Sequence, residues 1–361
     1  MITHVEPTQE NCILRLPEHC IGLGMPAFLV AEVGQAHDGS LGLAHAYIDA
    51  AADSGVNAVK FQAHIAYTES TLDEPFRVAF SKQDETRYAY WERMEFSHEQ
   101  WAGLVEHTRQ RELDFIVSPF STEAVEMLLD LNVSAWKVGS GEAVSGELFD
   151  ALIQTRKPVF CSTGMSSMRE IDEIVQRFKN KDIPFAVLQC TSKYPTSFKD
   201  VGLNIIDDLQ ARYDCVVGLS DHTGSVFPSL AAIGRGANII EAHIVFDKRM
   251  FGPDTHASLT PDDFTLLARF RDAFNEMMQH PVDKDTMAES MMAMRGIFGK
   301  SLAPVRRLVA GEVLTEDMLT AKKPGGGIPV EEKEQLVGRR LARDVAPDRL
   351  LSPQDLEDYD A

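Results

Sequence analysis

Ionisable and polar side chains recur at the ends of short apolar runs in this sequence, where burial is costly unless each finds a partner. Lys60 and Gln62 end the run 56–62, Ser220 and His222 stand at the end of 215–220, and Glu241 and His243 share the run 237–245. Glu32 closes the run 27–33. Residues two apart in a strand point to one side, so each pair addresses a single face. Lys137, Ser140 and Ser162 end two further runs. With Ser220 they offer one point charge and three hydroxyls, a set suited to cradle a phosphate, and Lys60 suits a carboxylate beside it. His222 and His243 end neighbouring runs; on strands ~4.8 Å apart, two inward imidazoles can share one divalent metal. Such an ion keeps open positions for a substrate carbonyl. Neutral imidazole suits Mn, Co, Fe or Zn, and Mg less well.

Each residue alone has a plainer reading. A lone Lys is often structural, a lone His is more often satisfied in the core, and a Ser at a strand end commonly caps the next helix. The joint pattern carries the argument, because seven of the eight runs end in a polar residue suited to one site.

Those residues need a scaffold that brings strand ends together. The strand-like runs are 27–33, 56–62, 113–118, 134–139, 157–162, 184–190, 215–220 and 237–245. Amphipathic runs follow at 41–54, 97–111, 121–131, 146–155, 167–180, 201–212, 226–235 and 261–279. Eight strand–helix units in series predict parallel strands closed into a (β/α)8 TIM-type barrel, whose catalysts sit at the C-terminal strand ends. A doubly wound open sheet is the alternative, disfavoured because no GxGxxG turn follows the first strand. The long segment 63–96, with Tyr67, Arg77, Tyr88, Tyr90 and Trp91, reads as a loop serving the site. The predicted organisation is a barrel over 1–280, a linker over 281–299 with a Met run at 291–294, and a small mostly-β domain over 300–361. In the last, two stretches repeat one pattern: short strand, tight turn, then Leu-(Thr/Ser) opening a helical turn. Gly325-Gly326-Gly327 lies in that domain and is no phosphate loop, since no Lys-Ser/Thr follows.

The chain has 361 residues, 44% hydrophobic and 25% charged, with a formal net charge of -20. A ~250-residue barrel leaves room for one small domain. The acidity argues against nucleic-acid and anionic-membrane partners but not against a small anion bound by a few local cations. No apolar run spans a membrane, and Met1 to Pro26 is broken by Glu6, Glu10, Arg15 and Glu18. The scattered Cys12, Cys20, Cys161, Cys190 and Cys215 predict free thiols in a reducing cytoplasm, the last three as buried apolar filler.

The stretches AEVGQAHDGS, GVNAVKFQ, VSPF, WKVGSGE, KPVFCSTGM, QCTSKYPT, GLSDHT, IIEAHIVFDK and GPDTHASL resemble the sialic acid (nonulosonate) synthase family from residue 27 onward. GEVLTEDMLTAKKPGGGI resembles the antifreeze-like (SAF) domain that follows the barrel there. The resemblance implies a transferase that condenses phosphoenolpyruvate with a sugar aldehyde. Its C3 attacks the metal-polarised carbonyl, water adds at C2, and phosphate leaves by C–O cleavage. Lys60, Ser118, Lys137, Ser140, Ser162 and Ser220 match the phosphoenolpyruvate positions. Glu32 matches the acid beside the reacting centre and, with Lys60 and Gln62, makes up the catalytic group. His222 and His243 match the ligands of a divalent metal, Mn first, with Mg or Co as alternatives. Gln62, Tyr194, Glu241 and Asp254 match positions around the sugar. Lys323 stands for a basic residue that reaches the sugar from the partner chain of a domain-swapped homodimer. Ala36, Asp38, Ser192, Ala242, Thr255 and Lys323 depart from the family pattern, and nearly all lie on the sugar side. They favour another hexose or dideoxy-hexose aldehyde over N-acetylmannosamine. Two other readings compete: a Schiff-base pyruvate aldolase using Lys60 or Lys137, and a degenerate barrel kept as a sugar-binding scaffold.

Overall fold

Each predicted strand run forms a strand, and the side-chain alternation along it decides which atoms meet. The structure, a computed structural model, describes residues 12–143 and 145–359. Residues 1–11 of the polar N-terminal stretch, Glu6 and Glu10 among them, lie outside the described residues. Strands β3 (Phe28–Gly34), β4 (Ala58–Ala63), β5 (Asp114–Pro119), β6 (Ala135–Val138), β7 (Val159–Ser162), β8 (Phe185–Cys190), β9 (Val216–Asp221) and β10 (Ile239–His243) close into a parallel barrel. Along the inward face the apolar residues come first and the polar ones last. Phe28 and Val30 precede Glu32, Ala58 precedes Lys60, Phe160 precedes Ser162, and Ile239 precedes Glu241. The register aligns these ends: Glu32 pairs with Lys60 and with His243, Gln62 with Ser118, and Ser220 with both Cys190 and Glu241. The outward residues Leu29, Val59, Phe115, Trp136 and Val217 pack under the helices in a second apolar layer.

The helices lie where the amphipathic runs predict: α1 (Leu41–Asp53), α4 (His98–Gln110), α5 (Thr122–Leu128), α6 (Gly146–Gln154), α7 (Met168–Asn180), α8 (Asn204–Arg212), α9 (Val226–Gly234) and α10 (Pro261–Gln279). Ser97 with Gln100, and Ser167 with Glu170, form capping boxes that satisfy the first free amides of α4 and α7. The segment 63–96 holds α2 (Ala66–Glu69) and α3 (Arg87–Met94). Ala66, Tyr90, Trp91 and Met94 bury there with Phe76, Phe80 and Tyr88 packed against them, so the long loop has its own small core.

One element escapes the strand–helix pattern. β1 (Cys12–Arg15) and β2 (Cys20–Gly22) form an antiparallel hairpin. Its Leu14, Leu16 and Ile21 join the barrel interior beside Phe28, Phe160 and Ile239. His19 Nδ1 lies 2.9 Å from Asp114 Oδ2, and Asn238 donates to the Gly22 carbonyl at 3.1 Å. The hairpin thus closes the N-terminal end of the barrel. Cys12 and Cys20 are joined in a disulfide, which corrects the expectation of five free thiols. Cys161, Cys190 and Cys215 remain free and buried.

The chain divides into two compact units, Met1–Gln279 and His280–Ala361. The stretch expected as a connector folds into α11 (Lys284–Ser290) and α12 (Met292–Phe298), which group with the second unit. In that unit β11 (Ser301–Pro304) pairs antiparallel with β12 (Leu319–Lys322), ahead of the short α13 (Lys333–Leu336). The core is leucine-rich: Leu302, Leu308, Leu314, Leu336, Leu341 and Leu351. The repeated pattern has a physical counterpart. Leu308 and Val345, equivalent positions of the two copies, bridge antiparallel, and the copies run on into short 3-10 turns at Glu316–Met318 and Pro353–Asp355. No helix among the described residues is long and apolar enough to cross a membrane.

Candidate active site

At the C-terminal strand ends the inward polar residues meet on one carboxylate. Glu241 Oε1 lies 2.7 Å from Lys137 Nζ and 3.0 Å from Lys60 Nζ, and accepts from the Ser220 hydroxyl at 2.9 Å. Lys60 Nζ also lies 2.9 Å from Glu32 Oε2. All four charged side chains are buried. Desolvation of that size is tolerable only because each charge has an opposite partner within contact. Burial works against charge on Lys137, yet Glu241 and Glu32 outweigh it and hold the ammonium above its usual pKa. Burial would likewise raise Glu241, but Lys137 and Lys60 hold it below the usual carboxylate range. The floor is therefore a network of two lysines paired with two carboxylates.

Two atoms of this floor have no hydrogen-bond partner, the Ser162 hydroxyl and Glu241 Oε2, although both are fully buried. An unpaired buried polar atom is costly, and its position marks where a ligand would complete the network. Ser140 stands beside them: its hydroxyl accepts the Gly164 N–H at 2.9 Å and lies 3.6 Å from Cys190 Sγ. A side chain at Gly164 would meet Ser192, Ser140 and Cys190 at 2.5, 2.8 and 2.9 Å, so glycine keeps this corner open.

Above the floor, Glu32 Oε1 accepts from Gln62 Nε2 at 2.7 Å, and Glu32 Oε2 lies 3.4 Å from His243 Nε2. Burial works to raise Glu32, but His243, Lys60 and Lys137 hold it well below the usual range. The His222 and His243 rings are 5.5 Å apart between centroids, and Tyr194 packs 4.2 Å from His222. His222 Nδ1 faces the Thr191 carbonyl at 3.3 Å. Donation there leaves Nε2 as the lone-pair nitrogen. One metal held at ~2.1 Å by a nitrogen of each ring puts the ring centroids ~5 Å apart, so the two side chains fit a shared divalent ion. Among the described residues no group of three or more His, Cys, Asp or Glu is arranged to hold a metal, so the imidazoles stand as a pair. Toward the mouth, Arg77 from the 63–96 segment lies over the Tyr194 ring at 4.1 Å and bonds Asp254 at 2.5 Å.

These residues line one cavity of about 470 Å³. It gathers Glu32, Lys60, Gln62, Ser118, Lys137, Ser140, Ser162, Tyr194, Ser220, His222, Glu241, His243 and Asp254. Lys323 belongs to the second unit, where its Nζ lies 5.6 Å from the Phe298 ring. Two placements differ from expectation. Glu241, matched to the sugar by resemblance, makes its contacts with the lysines of the floor. Cys190, expected as inert filler, lines the cavity 3.7 Å from His222 Nδ1. Burial works to raise this thiol, but His222, Lys137 and Ser140 hold it below its ordinary value. Gln35, His64, Glu69 and Glu142 also line the cavity, and none was singled out in the sequence. Glu142 is half-buried, and burial with the nearby Glu69 raises its carboxyl pKa. Strand parity could have found His64, which continues the Lys60–Gln62 series, and Cys190, which ends β8. Gln35, Glu69 and Glu142 lie on loops, where alternation gives no signal.

A closed parallel barrel with a charged, polar cavity at its C-terminal strand ends is the architecture of a barrel enzyme. A model described as the NeuB family matches residues 47–282, and one described as the SAF domain matches residues 299–357. The chain is 31% identical over 329 residues to the N,N'-diacetyllegionaminic acid synthase of Campylobacter jejuni, covering 90% of this chain and 98% of that one. It is 31% identical over 349 residues to the human N-acetylneuraminate-9-phosphate synthase, covering 95% and 96%. A crystal structure of N-acetylneuraminic acid (sialic acid) synthetase from Leptospira borgpetersenii, in complex with citrate, superposes with a TM-score of 0.68 at 29% identity, covering 78% of this chain and 95% of that one. This chain belongs to the NeuB family, and it is an enzyme of the nonulosonic acid synthase type.

Proposed function

We propose that this enzyme condenses phosphoenolpyruvate with a hexose-type sugar aldehyde to give a nonulosonic acid and inorganic phosphate. The observation that carries the reading is the polar floor itself: Lys60 and Lys137 beside Ser140, Ser162 and Ser220, with the Ser162 hydroxyl buried and unpaired. A trianionic substrate needs this combination of ammonium charge and hydroxyl donors. Lys137 and the serines hold the phosphate, and Lys60 holds the carboxylate. C3 of the enol bonds to the aldehyde carbon, water adds at C2, and the C2–O bond breaks to release phosphate. Glu32, ordered by Gln62 and Lys60, handles the proton beside the reacting centre.

His222 and His243 would hold a divalent metal, Mn foremost, with Mg and Co as alternatives. When bound, such an ion supplies Lewis-acid polarisation of the aldehyde oxygen. The relatives named above make different sugars at equal identity to this chain, so likeness does not choose the acceptor. The departures at Ser192, Thr255 and Lys323 favour an acceptor other than N-acetylmannosamine. We further propose that two chains form a homodimer in which Lys323 reaches the sugar of the partner barrel, and that the enzyme works in the cytoplasm, where phosphoenolpyruvate is made.

The test is a panel of aldoses incubated with phosphoenolpyruvate and Mn, read as phosphate release. At least one aldose should release phosphate in step with loss of the aldehyde. Pyruvate trapped by borohydride on Lys60 or Lys137, without phosphate release from any aldose, would replace this reading with a Schiff-base aldolase.

A further inference from the structure

His64 belongs to no contact that the reaction requires directly, yet it is only 3% exposed and both of its nitrogens are engaged. Its ring is clamped between Trp91 at 4.0 Å and Phe120 at 4.5 Å, with interplanar angles of 16° and 11°. Nδ1 lies 2.6 Å from Glu69 Oε1, and Glu69 Oε2 accepts the Ile65 N–H at 3.3 Å. A carboxylate at that distance accepts a hydrogen bond from the Nδ1–H, which turns Nε2 toward the amides. Nε2 faces two amides, Gln35 Nε2 at 3.5 Å and Gln62 Oε1 at 3.3 Å. Gln35 Nε2 in turn donates to Gln62 Oε1 at 2.5 Å, and Gln62 Nε2 donates to Glu32 Oε1 at 2.7 Å.

Either state of Nε2 gives the Gln62 amide the same orientation. An Nε2–H donates to Gln62 Oε1 directly. An Nε2 lone pair calls for a donor, so it turns the Gln35 amino group inward. That amino group must find an oxygen on Gln62, which sends the Gln62 amino group to Glu32. A reversed Gln62 amide would set its oxygen against the Glu32 carboxylate and its amino group against that of Gln35. We propose that His64, held by Glu69, is a positioning residue that sets the Gln62 amide and through it the carboxylate of Glu32. The clamp by Trp91 and Phe120 restrains rotation of the imidazole that faces the amides. The inference deepens the synthase reading and rests on it for its kinetic arm.

The test compares His64→Phe with the parent, because Phe keeps a ring between Trp91 and Phe120 and loses both nitrogens. Turnover in phosphate release should fall at least ~10-fold, while the KM for phosphoenolpyruvate stays within ~2-fold, as expected when transition-state geometry and not ground-state binding is lost. In a Gln62→Ala background the same change should cost less than ~2-fold, since the residue through which His64 acts is gone. Equal costs in both backgrounds would mean a general packing role and would overturn the proposal. Glu69→Leu is the second variant, with the same expected pattern if His64→Phe folds poorly. A crystal structure of the variant supplies an arm free of catalysis: Gln62 Nε2 should leave Glu32, and an unchanged 2.7 Å contact would overturn the idea. If the parent protein releases no phosphate with any aldose, the synthase reading fails, and the crystallographic arm still decides the ordering role.

Discussion

At the scale of single residues, the floor is a compromise between stability and binding, and that compromise gives predictions of opposite sign. Ser162 buries a hydroxyl with no partner. Ser162→Ala removes the desolvated group, so melting should stay level or rise, by up to ~1 kcal/mol of stability. The same change should raise the KM for phosphoenolpyruvate roughly 5- to 10-fold, the loss of one hydrogen bond to an anion. A fall in both melting temperature and affinity would show the hydroxyl to be structural. Lys137→Ala acts differently, because Glu241 keeps only Lys60 and Ser220. Phosphoenolpyruvate use should weaken by ~2–3 kcal/mol or more, with the sugar's KM little changed; an effect confined to the sugar would exchange the two subsites. For the imidazole pair, exhaustive chelation should abolish phosphate release and added Mn should restore it, with His222→Ala acting mainly on turnover. Undiminished activity in chelator would remove the metal from the proposal. Much of this centre is legible in sequence because strand parity is strict: Lys60 with Gln62, and Glu241 with His243, must share a face. Parity does not say which charge partners which. That is why Glu241 comes to rest between two lysines although its strand position alone fits the sugar equally well.

At the scale of elements, the eight strands and their helices are legible because alternation and amphipathicity repeat over long stretches. The hairpin β1–β2 is not, because four and three residues are too few to show a period. Its meaning lies in three apolar contacts distant in sequence, Leu14, Leu16 and Ile21 against the barrel interior. Barrels need a closed bottom to keep their inner layers dry, and here the apolar layer supplied by the hairpin lies beneath the charged one. Ile21→Ala should therefore destabilise the chain by ~2–4 kcal/mol, the usual cost of truncating a fully buried aliphatic side chain. Urea melts would check it. A loss below ~1 kcal/mol would mean that the hairpin only lies against the barrel. The segment 63–96 was legible as a site element from its length and aromatic content, but not its inner organisation. Its core of Tyr90, Trp91 and Met94 forms only once α2 and α3 fold back on each other. Trp91 then reaches His64, and Arg77 reaches Asp254.

At the scale of the whole molecule, the second unit poses the question of what an enzyme gains from it. It has a core of its own around Leu302, Leu308 and Leu341 and an internal pairing of its two repeats, so it folds for its own reasons. In the homodimer proposed above, it would reach into the active site of a second chain, with Lys323 as the residue that arrives. A flexible ammonium in that place recognises an acceptor less sharply than a planar guanidinium would, which matches the drift of the sugar-side positions. Symmetry makes the idea testable without knowing the sugar's final identity, provided one aldose supports phosphate release. His243→Ala chains and Lys323→Ala chains should each be poor alone. When the two are refolded together, a mixed dimer that shares residues between chains contains one site with both residues intact and one with neither. Random pairing then restores about a quarter of the parent sites. If each chain completed its own site, every site in the mixed dimer would still lack one residue, and mixing would restore nothing. Recovery near the expected fraction, rising with the share of mixed dimers measured by mass spectrometry, supports the shared site. Absence of recovery, with mixed dimers present and both single variants impaired, assigns Lys323 to its own barrel or to no barrel at all.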